Sequence, residues 1–125
     1  MLYVEDNQAN LLLLKCLIAR CENLKLLTAI DGDLGIIIAR ANIPDVILMD
    51  INLPGINGFD ALKILRADPL TTHIPVIALS SNAFAHDIAS GIKAGFSHYL
   101  TKPYAIEDLM NSIDEALRSS QKTGE

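Results

Sequence analysis

Val46-Ile47-Leu48-Met49-Asp50 is the stretch whose reading decides the fold: four apolar residues in a row, closed by a carboxylate. An unbroken apolar run of this length fits a strand covered on both faces, the usual situation of a central strand in a parallel sheet. Working outward, similar short runs occur at Leu2–Val4, Leu24–Ala29, Val76–Leu79 and His98–Leu100. Helical patterns follow each of them, at roughly Gln8–Cys21, Asp33–Ala41, Gly58–Ala67, Ala83–Ala94 and Ile106–Ser119. The last carries a stripe at Ile106, Leu109, Met110, Ile113 and Leu117, the spacing of an amphipathic helix. Five strand-then-helix units in succession predict a parallel sheet between two layers of helices.

Strand composition separates central strands from edges and is consistent with one order. The first, third and fourth runs are almost wholly apolar, whereas the second carries Lys25 and Thr28 and the fifth His98 and Tyr99, which suits edges. The expectation is a single (βα)5, flavodoxin-like, doubly wound α/β domain over residues 1–118, with parallel order 2-1-3-4-5. The polar residues 119–125 are expected to form a disordered linker stub.

Bulk properties narrow the function. The 125 residues suit one domain with a real core, and the apolar half and charged fifth are ordinary for a globular protein. A formal charge of −5 argues against general affinity for nucleic acid. No apolar run is long enough to span a bilayer, and no signal-peptide layout is present. Cys16 and Cys21 lie on different faces of one expected helix, so a mutual disulfide is not expected and reduced thiols in a cytoplasm are. His73, His86 and His98 show no zinc-ligand spacing.

In doubly wound sheets ligands gather at the carboxyl ends of the strands. Glu5 and Asp6 follow strand one, Asp50 follows strand three, Ser80 and Ser81 follow strand four, and Lys102 and Pro103 follow strand five. Singly, each has an ordinary explanation: Asp6 or Asn7 could cap the first helix, Ser81 or Asn82 the fourth, and Lys102 could be a solvated charge. Together, clustered carboxylates repel one another unless a cation joins them. Glu5, Asp6 and Asp50 read as a hard-cation site of the magnesium kind. A carboxylate beside such a cation can attack phosphorus, with Ser80 and Lys102 placed to bind the remaining phosphoryl oxygens.

These residues carry a resemblance. Tyr3-Val4-Glu5-Asp6-Asn7, Leu48-Met49-Asp50-Ile51-Asn52-Leu53-Pro54-Gly55, Pro75-Val76-Ile77-Ala78-Leu79-Ser80 and Tyr99-Leu100-Thr101-Lys102-Pro103 resemble the receiver domains of two-component response regulators, closest in style to those of hybrid sensor histidine kinases. The resemblance runs from Met1 to about Leu117. It implies that Asp50 is a phosphoacceptor in a phosphorelay and that the domain turns over nothing beyond its own phosphorylation and dephosphorylation. It implies Mg2+ (or Mn2+) held by Asp6, Asp50 and the backbone carbonyl of Asn52, with Glu5 acting through water. Ser80 then matches the hydroxyl that moves toward the phosphoryl group, Lys102 its lysine partner, Tyr99 the aromatic switch, and Asn52 and Asn82 the positions that tune dephosphorylation. The Lys102–Pro103 bond is expected to be cis. Serine at position 80 departs from the threonine of many relatives, keeping the hydroxyl with a looser rotamer. The start only four residues before the acidic pair gives the first strand a clipped look, as in a receiver excised from a larger protein.

The first helix is apolar nearly all round. Leu11, Leu14, Ile18 and Cys21 form an inward stripe, and Asn10, Leu13 and Leu17 are left on another face as a candidate docking surface. By the resemblance, its partner is a histidine kinase or histidine phosphotransfer protein presenting a helical bundle. A homodimer through helix four, strand five and helix five is left open, as is a place in the cytoplasmic part of a membrane-bound hybrid kinase. No contact of the domain with membrane or nucleic acid is expected. Three rivals remain. A flavodoxin-type carrier would need a phosphate-cradling loop where Glu5-Asp6 stands. A haloacid-dehalogenase-type phosphatase would need an acid at Asn52. A receiver that signals by contacts alone would bind its partner without Asp50.

Overall fold

In a computed structural model the described residues are 1–19, 25–80, 85–102 and 104–123. Five strands, β1 (Leu2–Val4), β2 (Leu27–Ala29), β3 (Ile47–Asp50), β4 (Val76–Ser80) and β5 (His98–Thr101), alternate with α1 (Gln8–Ile18), α2 (Gly32–Asn42), α3 (Gly58–Ala67), α4 (Ala85–Ala94) and α5 (Ile106–Thr123). All pairings are parallel, in the order β2-β1-β3-β4-β5. This is the flavodoxin-like order expected from strand composition.

Strand periodicity divides the core in two. Leu2, Val4, Ile47, Met49, Val76 and Ala78 face one way, onto Ile36 and Ala39 of α2 and Ala61, Leu62 and Leu65 of α3. Tyr3, Leu48, Ile77 and Leu79 face the other way, onto Leu11, Leu14 and Ile18 of α1 and Leu109, Ile113 and Ala116 of α5. Alternate residues of one strand thus feed opposite layers, the reason these strands read as continuous apolar runs. Side-chain oxygens of Asn7, Asp31 and Asn57 accept the backbone N–H groups of Asn10, Leu34 and Asp60, which sets where α1, α2 and α3 begin.

Boundaries moved for definable reasons. β2 starts at Leu27 rather than Leu24 because its partner Leu2 is the first residue of β1; outside the ladder, the Lys25 carbonyl instead accepts the Met1 amine at 2.7 Å. β3, β4 and β5 each extend one residue further than expected, to Asp50, Ser80 and Thr101, so these polar residues belong to the ladder itself. The segment from Ser119, expected as a disordered tail, continues α5 to Thr123. Its serines, Gln121 and Lys122 contain no breaker, so an established helix propagates through them. Cys21, Ser81, Asn82 and Pro103, with the expected cis bond, lie outside the described residues.

Register levels the carboxyl ends. Val4 pairs with Met49, Asp50 with Leu79 and Leu79 with Leu100, so the residues just beyond these pairs come out along one edge. The opposite layer is tied by Arg66 at the end of α3. Its guanidinium donates to the carbonyls of Thr72 (3.1 Å), Ile74 (2.7 Å) and Gly95 (3.1 Å), joining α3 to the entry of β4 and to the turn between α4 and β5. Arg66→Ala leaves three carbonyls without this donor, two of them in part-buried bonds, and is expected to cost about 2–3 kcal/mol. Urea unfolding measures this, and Arg66→Lys, lacking the planar fork, recovers only part of the loss.

Candidate functional site

The edge defined by the strand ends carries the acidic residues. Asp50 closes β3 and is nearly buried, and Glu5, directly after β1, is fully buried. Asp6 is exposed, and one carboxylate oxygen from each of Glu5, Asp6 and Asp50 lies within 4.8 Å of the others. Lys102 enters from the end of β5. Its backbone N–H donates to the Ser80 carbonyl at 2.7 Å, which places the side chain over the pocket. The ammonium lies 2.8 Å from Asp50 Oδ2 and 3.4 Å from Glu5 Oε1.

Asp50 is held at both oxygens: Oδ2 accepts from Lys102, and Oδ1 accepts the Asn52 N–H at 2.9 Å. The loop that supplies this N–H folds tightly against the strand end. A Cβ on Gly58 would come within 2.9 Å of Ile51 Cα and 3.0 Å of the Asp50 carbonyl oxygen, so only glycine lets α3 start so close. Glu5 is held at one oxygen. Its Oε1 accepts from Asn10 Nδ2 (2.9 Å), the Tyr3 hydroxyl (3.2 Å) and Lys102 Nζ (3.4 Å). Its Oε2 is buried with no hydrogen-bond partner among the described residues.

The two buried carboxyls are pushed apart. Burial raises Glu5, the adjacent Asp50 raises it further, and Asn10 and Lys102 only partly oppose this. Burial also acts to raise Asp50, but the neighbouring Glu5, the Lys102 ammonium and the Asn52 amide outweigh it and hold the group below its ordinary value. Glu5 is therefore the carboxyl that more readily takes a proton, and Asp50 the one that stays ionised. Burial disfavours the Lys102 ammonium, yet Asp50 and Glu5 more than restore it. Burial first, then Glu5, pushes the Tyr3 phenol well up, so it stays a donor.

With all three carboxyls ionised, three negative charges and one ammonium leave the pocket at −2. An all-oxygen donor set, a charge of −2 and a buried acceptor without a partner suit a hard divalent cation. An ionised carboxylate braced by an ammonium and a backbone N–H can serve as an oxygen nucleophile toward phosphorus without a general base.

Several other expected residues fall around this centre. Ser80 ends β4 and is fully buried. The Asn52 side chain is exposed. Tyr99 is half-buried against the core layer of α2 and α3. Leu13 is 59% exposed, whereas Leu17, expected on the outer face, is half-buried against the α1–α5 core because α5 packs alongside it. Asn10, Leu13 and Leu17 line a shallow groove with Tyr104, Ile106 and Leu109 of the facing segment. Asn10 nevertheless turns its amide to Glu5, a role its place in the docking stripe did not suggest. Tyr3 went unremarked as a site residue, although residues two apart on a strand share a face and so put it beside Glu5.

The Tyr99 ring rests on α4 at Gly91, where a Cβ would stand 2.5 Å from Tyr99 Cδ2 and 2.8 Å from Cε2. Gly91→Ala gains about 1 kcal/mol of helix propensity and is expected to swing the half-exposed ring outward. Net stability then changes by less than about 1 kcal/mol, while the Tyr99 ring resonances in an NMR spectrum move away from their buried positions. Unshifted resonances would show that the helix yields instead.

Known proteins resemble this chain in sequence and fold. The family described as response regulator receiver domain matches residues 1–114. Response regulator PleD of Caulobacter vibrioides is 38% identical over 109 residues, covering 87% of this chain and 23% of that protein. Protein PilH of Pseudomonas aeruginosa is 41% identical over 93 residues, 74% of this chain and 77% of that one. The receiver domain of the sensor histidine kinase PA1611 from Pseudomonas aeruginosa, solved with a magnesium ion coordinated in its active site cleft, superposes with a TM-score of 0.82 at 30% identity over 93% of this chain and 94% of its own. The receiver domain of Francisella response regulator 1452 gives 0.88 at 28% identity over 95% and 96%. The chain spans less than a quarter of PleD's length.

Proposed function

Because the chain belongs to the response regulator receiver domains, the phosphoacceptor modules of two-component signalling, we propose that Asp50 is the residue that takes up the phosphoryl group. The observation that carries this is the setting of Asp50: gripped by Lys102 and the Asn52 N–H, and within 4.8 Å of carboxylate oxygens of Glu5 and Asp6. The reading assigns the donor as a phosphohistidine on a histidine kinase or phosphotransfer protein. A carboxylate oxygen of Asp50 forms the new P–O bond as the P–N bond breaks, and the imidazole leaves with the bonding pair and takes a proton. Lys102 then turns from the Asp50 carboxylate toward a phosphoryl oxygen, and the Ser80 hydroxyl donates to another.

A divalent cation, Mg2+ or Mn2+, held by Asp6, Asp50, the Asn52 carbonyl and, through water, Glu5, would supply neutralisation of the phosphoryl charge. Asn52 and Asn82 tune hydrolysis of the acyl phosphate, and Tyr99 reports the phosphorylated state by moving on Gly91. The partner's helices dock over Leu13 along the α1–α5 groove. The domain turns over no external substrate, and it works in the cytoplasm. Among the described residues, no helix is long and apolar enough to cross a membrane.

Incubation with acetyl phosphate and Mg2+ is expected to add one phosphoryl group by intact mass, and Asp50→Asn to abolish the gain. No gain in a wild-type protein that binds Mg2+ would overturn the assignment in favour of a receiver that signals by contacts alone. Mg2+ at a hundredfold excess over its Kd should add about 2.7 kcal/mol to unfolding stability, an increment lost in Asp6→Asn. Leu13→Asp should slow transfer from a phosphotransfer protein that phosphorylates the wild type, with acceptance from acetyl phosphate unchanged.

A further inference from the structure

We propose that Asn10 is a positioning residue for cation capture, which with Tyr3 holds the Glu5 carboxylate by Oε1 and so leaves Oε2 as its free acceptor. This rests on the reading of the pocket as a divalent-cation site. The asymmetry of Glu5 is the starting point. Oε1 accepts from Asn10 Nδ2 at 2.9 Å, from the Tyr3 hydroxyl at 3.2 Å and from Lys102 Nζ at 3.4 Å, while Oε2 has no partner among the described residues and is buried. A glutamate side chain is long and loses rotamer freedom when it is fixed, so a defined orientation requires donors placed in advance.

Both donors are placed by structure that forms independently of the pocket. Asn10 sits in the first turn of α1, where its own backbone N–H is bound by the cap Asn7 at 3.1 Å. That bond involves only backbone at position 10, so a change of side chain leaves the cap intact. Tyr3 is fully buried in the α1–α5 core, two residues before Glu5, which follows β1 directly. Its ring is fixed by packing, and its hydroxyl reaches the carboxylate from below. Outer donors that orient the carboxylates around a cation affect affinity directly, typically by about 10–100-fold.

Lys102 is the weakest of the three at Oε1 and has a closer engagement with Asp50. When Lys102 moves to a phosphoryl oxygen, Asn10 and Tyr3 remain as the two donors that keep Glu5 oriented. The inference therefore separates two functions at the pocket: Lys102 follows the reacting group, and Asn10 and Tyr3 hold the acidic side still.

The test is Mg2+ titration calorimetry on the intact chain, joined to the rate of acceptance from acetyl phosphate as a function of Mg2+. Asn10→Ala and Asn10→Leu, the second keeping side-chain volume without a donor, are expected to raise the Mg2+ Kd about tenfold. The acceptance rate at saturating Mg2+ should stay near the wild-type value, because the acceptor itself is untouched. Tyr3→Phe, which keeps the ring and removes only the hydroxyl, should raise Kd in the same direction, and it decides the matter if either Asn10 variant fails to fold. A wild-type Kd in these variants would overturn the inference, as would a lowered saturated rate with unaltered Kd, the signature of damage to the fold or to the acceptor. A wild-type chain that binds no Mg2+ would remove the cation reading itself, and this inference with it.

Discussion

The contact of the Lys102 ammonium with Asp50 and Glu5 is the interaction around which the carboxyl edge is organised. Two buried carboxylates and a third at the rim would repel one another across a low-dielectric pocket. One ammonium reaching both buried members makes their proximity tolerable. It does not neutralise them, and the remaining negative charge suits a divalent cation. Lys102 comes from β5 and Glu5 from β1, at opposite ends of the chain, so the pocket exists only when the whole sheet is assembled.

That dependence explains why so much of the framework serves register. A slip of one residue between β3 and β4, or between β4 and β5, would turn each strand's side chains to the wrong layer and move Lys102 away from Asp50. The two core layers resist such slips because Ile47 and Met49 feed one and Leu48 the other. Arg66, by bonding carbonyls at the entry of β4 and at the turn before β5, anchors those two strands from the far side. The same layer holds Tyr99 against Gly91, so this edge-strand ring rests directly on the backbone of α4.

The pocket also communicates with the α1–α5 face. Asn10 and Tyr104 line the groove beside Leu13, and Asn10 reaches Glu5 by its amide. A helix seated on Leu13 would therefore cover side chains one step removed from the acidic centre, with no intervening domain movement.

The apolar runs alternating with helical patterns foretold the parallel sheet and separated its edges from its centre, because strand burial is written in composition: Thr28 and His98 mark edges, and Val46–Met49 a centre. The strand-end positions of Glu5, Asp6, Asp50, Ser80 and Lys102 likewise made the pocket legible, since a parallel sheet brings all its carboxyl ends to one side. Tertiary structure alone decided how the charge is shared. Which carboxyl stays ionised depends on burial and on donors from one strand, the segments just beyond two others and a helix, and none of those distances is encoded in spacing along the chain. It alone turned Asn10 inward and half-covered Leu17, because both outcomes depend on how α5 lies against α1. Periodicity places a residue on a face of its own helix; what that face meets is settled only by packing.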